Sequence, residues 1–142
     1  MFSIIRLYDL VSTVPQTILQ TFKDGTVVIY KILSPGSHHY LPAKITDREG
    51  NFITIARDIN GRITSTADNM GRSLSFQYAS SGLNYVVTDH AGRTFKFDFD
   101  SLGRRVAYTD ANGDKTSYSY NSSNQLTGVT YPNGGKSTFE YN

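Results

Sequence analysis

A glycine recurs every 21 residues through most of this chain. Gly50, Gly71, Gly92, Gly113 and Gly134 form one series. Gly61, Gly82 and Gly103 form a second at the same spacing, continued by Asn124. An aspartate stands three residues ahead at Asp47, Asp68, Asp89 and Asp110 in the first series, and at Asp58 and Asp100 in the second. Tyr131, Ala79 and Asn121 fill the remaining leading positions. Self-similarity at a fixed period marks a stacked-repeat architecture, in which one unit cannot bury its apolar face alone. Each unit holds two Asp-x-x-Gly elements, 10 or 11 residues apart.

The element reads as a tight turn. An Asp side chain can accept a hydrogen bond from the backbone N–H two residues on. Glycine supplies the left-handed residue of a type I turn that ends in a bulge. Asn is the best substitute for Gly in that conformation, so Asn124 fits the pattern. Ala79 cannot make the side-chain bond, and a weaker turn is expected there.

Between turns the residues alternate. Phe76 and Tyr78, Phe97 and Phe99, Tyr118 and Tyr120, and Phe139 and Tyr141 recur at the 21-residue period, with polar residues between them. Period two with aromatics on one face specifies half-buried β-strands. The strands between them are less regular, with Ile63, Tyr85, Val87, Val106, Tyr108 and Leu126 as their apolar content. The expected fold is all-β: an antiparallel meander of two-strand units, about eleven strands, with equivalent aromatics in a ladder along the sheet. The regular region covers residues 22–142. Phe22-Lys23-Asp24-Gly25 opens it, and four extra residues fall in the loop Ser34 to His39. Residues 1–21 stay poorly assigned, because Pro15 argues against a central strand.

The residues around the second turn series resemble a known family. Phe99-Asp100-Ser101-Leu102-Gly103-Arg104 and Tyr120-Asn121-Ser122-Ser123-Asn124-Gln125-Leu126 are similar to the YD repeat, Tyr-Asp-x-x-Gly-Arg-Leu. Thr109-Asp110-Ala111-Asn112-Gly113 and Tyr131-Pro132-Asn133-Gly134 are similar to its Asp-Pro-x-Gly half. Asp58 to Ile63 matches too, with Arg57 where Tyr would stand. The chain thus resembles the Rhs (rearrangement hot spot) or YD-repeat proteins over about residues 22–142. The resemblance implies a β-sheet strip curved into an arc of a larger shell. In the bacterial members that shell encloses a C-terminal toxin, and related shells occur in animal adhesion receptors. It also implies further Rhs repeats as partners and a secreted or cell-surface setting. With no evident capping units, a fragment of a longer Rhs protein is expected rather than a stand-alone chain.

Chemistry is sparse. There are no cysteines, so disulfides and thiolate metal sites are excluded. The net charge is +2, from 14 basic and 12 acidic residues, and no basic patch suits nucleic acid. No apolar run approaches the length of a membrane span. The Asp series invites calcium, but equivalent turns two strands apart lie roughly 9–10 Å from one another, too far for one ion. Asp58/Arg62, Asp68/Arg72, Asp89/Arg93 and Asp100/Arg104 are expected to form exposed ion pairs across their turns. His38 and His39 lack a third ligand, and no nucleophile elbow or phosphate loop is present. No catalytic, cofactor or metal residue is assigned, and the chain is read as a structural protein and not an enzyme. The alternative is a module whose aromatic face binds surface glycans.

Overall fold

The computed structural model describes residues 4–11, 14–35 and 37–142, with side chains described at 4–6, 16–35 and 37–142. Residues 1–3, 12–13 and Gly36, which belong to the poorly assigned N-terminal segment and the inserted loop, lie outside the described residues. The described residues are all-β, without helix. The first seven strands are β1 (Ile4–Val11), β2 (Val14–Thr21), β3 (Val27–Ile32), β4 (Tyr40–Thr46), β5 (Phe52–Arg57), β6 (Ile63–Asp68) and β7 (Ser73–Tyr78). Then follow β8 (Tyr85–Asp89), β9 (Thr94–Phe99), β10 (Arg105–Thr109), β11 (Lys115–Tyr120), β12 (Leu126–Thr130) and β13 (Lys136–Thr138). They form one open antiparallel meander in sequence order.

Thirteen strands replace the eleven expected from the repeat. The difference is β1 and β2, where the period is not readable. Pro15 is tolerated because of its place: it faces Leu10 of β1, whereas the β2–β3 ladder spans only Thr17 to Thr21. No sheet hydrogen bond to β3 is asked of the residue that lacks an N–H.

The meander divides into two compact units, residues 1–75 and 76–142. In the first, Val28 is 7% exposed and faces Gln20 on β2 and Ile45 on β4, with Ile53 of β5 opposite Ile45. The inserted loop lies in this unit. Its flanking Leu33 and Leu41 crowd Gly61, where a Cβ would meet Leu41 Cδ1 at 3.3 Å. In the second unit Ala107 is 4% exposed. These two are the only buried hydrophobics among the described residues.

A β-bulge recurs with the repeat. Ala43, Thr64, Val106 and Thr127 are each the extra residue on the strand that follows a second-series turn or the inserted loop. Its effect is a matter of parity. Pairing carries Phe97 to Tyr108, and Tyr108 to Thr116. The repeat carries Phe97 to Tyr118, two residues further along the strand. An even step keeps equivalent side chains on one face. Paired without the bulge, the same 21 residues would step by one, and alternate units would turn their aromatics to opposite faces.

Candidate functional site

The conspicuous side chains occupy two places, the turns and one face of the sheet. At Asp58, Asp68, Asp89 and Asp100 the construction is identical. In all four the Asp N–H donates to the carbonyl of the arginine four residues on, at 2.9–3.0 Å, and the glycine three residues on donates to the Asp carbonyl at 3.0 Å for Gly61 and Gly103 and 2.9 Å for Gly92. Asp Oδ1 accepts the N–H groups of the second and fourth residues on, at 2.9–3.0 Å. Asp Oδ2 accepts Nε of the arginine four residues on, at 2.7 Å for Arg62, 2.6 Å for Arg72, 2.7 Å for Arg93 and 2.8 Å for Arg104. Each carboxylate closes its own turn, so neither oxygen is left facing a shared ligand.

The other turns are variants of this scheme. Asp47 uses Asn51 in place of arginine, with Nδ2 on Oδ2 at 2.9 Å. Asp110 keeps only the two backbone bonds, from Asn112 and Asp114. Asn121 accepts the same pair, from Ser123 and Gln125, and donates to Gln125 Oε1 at 2.8 Å. At the turns led by Phe22 and Tyr131 the polar side chain moves two places along: Asp24 Oδ1 accepts from Thr26, and Asn133 Oδ1 from Gly135, both at 2.9 Å. Gly50, Gly61, Gly71, Gly92, Gly103 and Gly113 all hold positive φ, between 76° and 90°. The Ala79 turn differs most. Ala79 N donates to the carbonyl of Asn84, five residues on, where the Asp turns span four. The extra residue that other units place in a bulge sits here in the turn, and the period survives.

Electrostatics follow the hydrogen bonds. The bond from the Arg93 side chain, helped by backbone N–H groups, holds the Asp89 carboxyl below its ordinary value. The Asn51 side chain does the same for Asp47, and the Thr26 N–H for Asp24. At Asp58, Asp68 and Asp100 desolvation pushes upward, but the arginine and backbone donors together outweigh it, and the net shift is downward. Carboxylates held this firmly in the charged form are poor general acids at neutral pH. Among the described residues no three His, Asp or Glu side chains converge as a metal site would need.

The aromatic residues share one face with the apolar residues of the less regular strands. Tyr85 stacks on Phe97 with centroids 4.8 Å apart and planes at 17°, and it also meets Phe99 at 5.8 Å and Tyr78 at 5.7 Å. Phe97 meets Tyr108 at 5.2 Å. The contacts therefore run between neighbouring strands, with Tyr85 and Tyr108 as the linking rungs. Phe76, Tyr78, Phe97, Phe99, Tyr118 and Tyr120 are half-buried, while Phe139 and Tyr141 are exposed.

Tyrosine hydroxyls add a second repeated link. Tyr120 donates to the Arg105 carbonyl at 2.9 Å, and Tyr141 to the Leu126 carbonyl at 2.8 Å, one repeat later. Phe99 has no hydroxyl. There the link is reversed: its N–H donates to Asn84 Oδ1 at 2.7 Å.

Sequence reasoning gave Arg104 only its turn pair and Arg105 no role, yet both reach the aromatic rings. Arg104 passes beyond Asp100: Nη1 donates to Asn124 Oδ1 at 2.9 Å and the guanidinium lies 5.0 Å from the Tyr120 ring. Arg105 lies 4.7 Å over the Tyr118 ring. Arg57 donates from Nη1 to the Gly61 carbonyl at 3.0 Å, while its Nε is buried without a hydrogen-bond partner. The repeat position of Arg57 was legible. Its inward aim was not.

No curated protein matches the chain. Residues 86–115 and 99–136 match the family model described as RHS Repeat. That stretch contains the turns at Asp89, Asp100, Asp110 and Asn121, which share one hydrogen-bond scheme and one 21-residue spacing. Residues 86–136 of the chain are accordingly RHS repeat sequence.

Proposed function

We propose that the chain is a wall segment of an Rhs-type shell that encloses a C-terminal toxin. The observation that carries this reading is the absence of a closed core: Val28 and Ala107 are the only buried hydrophobics among the described residues. Each unit is a sheet whose hydrophobic face is left half-covered. A globular domain of this length ordinarily buries well over half of the surface its chain exposes when unfolded. A container wall has no such requirement, because its inner face is covered by what it holds. The turns serve the wall as self-contained staples, and the bulges keep the rings on one side.

Small-angle scattering with light scattering on the purified chain tests the reading. A monodisperse particle with the thickness of one sheet, or a larger assembly of such layers, supports it. A compact globule overturns it. A glycan-binding module is the second reading, favoured by Phe139 at 42% and Tyr141 at 49% exposure. Retention of the chain on a glycan array, lost in Tyr141→Ala, is the result that separates it.

A further inference from the structure

The junction of β4 and β5, inside the first unit, is incomplete. Its ladder joins only residues 44–46 to 52–54, so residues 40–43 and 55–57 have no ladder between them. Two later units bridge the matching place with a tyrosine. Tyr120 reaches the Arg105 carbonyl and Tyr141 the Leu126 carbonyl, each fifteen residues back. The counterparts here are Arg57 and Pro42, and no hydroxyl is available. A groove of about 590 Å³ opens there, lined by both residues. That size falls within the range of small-molecule sites, roughly 300–1,000 Å³. Arg57 is the unusual member of the lining. Nη1 is spent on the Gly61 carbonyl, Nε is buried without a partner, and no hydrogen bond among the described residues occupies Nη2. Arg93 and Arg104 turn this same Nε–Nη2 edge to the carboxylates of Asp89 and Asp100. On Arg57 the edge carries no carboxylate. A buried charged donor left unpaired is costly and marks a missing acceptor.

We propose that this groove binds a small organic acid with an alkyl body, its carboxylate held by the Nε–Nη2 edge of Arg57. Two parallel N–H bonds to one carboxylate suit that edge. The surroundings favour an anion. Lys31 and Lys44 line the groove too, and neither has a carboxylate partner among the described residues. Asp58 is the one carboxylate in the lining, and Arg62 with two turn N–H groups already holds it. Asp47, in the turn after β4, is closed by Asn51. The walls choose the body. Ile29, Leu33, Leu41, Ala43 and Ala56 are aliphatic, and no aromatic residue lines the groove for a sugar or a base to stack on. One end is shut where Leu33 and Leu41 pack against Gly61. These two leucines flank the inserted loop, so the groove sits where the chain departs from its own repeat. Insertions in repeat units commonly serve binding. The inference goes beyond the shell reading and does not depend on it.

The test adds the full chain to octanoate, isotope-labelled at its carboxyl carbon, and follows that signal by NMR. Saturable binding at one site per chain is expected, stronger than for butanoate by roughly two- to fourfold per added methylene. Arg57→Met and Arg57→Tyr should each weaken it about tenfold or more, the worth of a hydrogen bond to a charged group. Ala56→Phe, which fills the groove and leaves Arg57 in place, should weaken it as well. Arg72→Met, which removes a turn arginine of the same unit, should leave affinity unchanged. Equal binding of octanol or of inorganic phosphate overturns the proposal, as does unchanged affinity in Arg57→Met or Ala56→Phe. A signal that never saturates also overturns it and leaves water as the partner of Arg57 Nε. So does a dimer, seen by light scattering, that octanoate does not dissociate, since the groove then belongs to a second copy.

Discussion

Asn124 holds φ of 63° at a turn position that is glycine in nearly every other unit. A Cβ in that conformation costs roughly 1–2 kcal/mol for an ordinary residue, and less for Asn. Here the side chain adds something, since its Oδ1 accepts from Arg104 at 2.9 Å. Asn124→Ala should destabilise the chain by about 1–2 kcal/mol, and Asn124→Gly by less, because it loses the bond but relieves the backbone. Urea midpoints order the three proteins. An alanine variant as stable as the parent would contradict the strain argument. The turn carboxylates set the pH response. Asp24, Asp47, Asp58, Asp68, Asp89 and Asp100 are all held below the ordinary value of 3.8. A group depressed in the folded state stabilises fully above its unfolded value and loses that contribution as pH falls through its folded one. The urea midpoint should therefore hold steady from pH 7 to about 5 and drop below about 4. Asp89→Asn should shrink the drop. A midpoint that stays flat into strong acid would show the turns do not depend on charge.

At the scale of elements, the turn at Ala79 is the weak joint. Its side-chain support is one long contact, Leu83 N to Ser81 Oγ at 3.4 Å. The Asp100 turn has two backbone bonds and an arginine. Amide hydrogens at 79–84 should exchange faster than those at 100–104, and equal rates would remove the side chain from the account. Between strands, Tyr120→Phe should cost about 1 kcal/mol, the net worth of a typical hydrogen bond. The turns were legible because only a few residue types suit left-handed backbone and side-chain capping, so Asp, Gly and Asn124 stand out at once. The aromatic strands were legible from alternation. The bulges were not, because no residue type marks them: Ala43, Thr64, Val106 and Thr127 share nothing but position. β1 and β2 were hidden by Pro15, whose meaning depends on which neighbour pairs with it. Arg105 was invisible for a similar reason, since a bulge sets which face it joins.

Over the whole molecule, interactions are between neighbours in sequence order, strand to next strand. Stability in such arrays approximates a sum of unit and nearest-neighbour terms. Asn124→Ala should thus lower exchange protection in β11 and β12 while leaving β3 to β5 unchanged. A uniform loss across all strands would mean one cooperative body instead. The even register step has a further meaning for how such a chain can change over time. Gain or loss of one whole unit, anywhere in the regular region, leaves every ring on its original side. A single-residue change is absorbed if it falls where slack already exists, in the bulge or, as at Ala79, in the turn. Removed from the middle of β9, for instance at Lys96, it acts on side-chain facing as a frameshift acts on codons. Heredity can therefore alter the length of this sheet freely, while its sidedness is protected by a reading frame of its own.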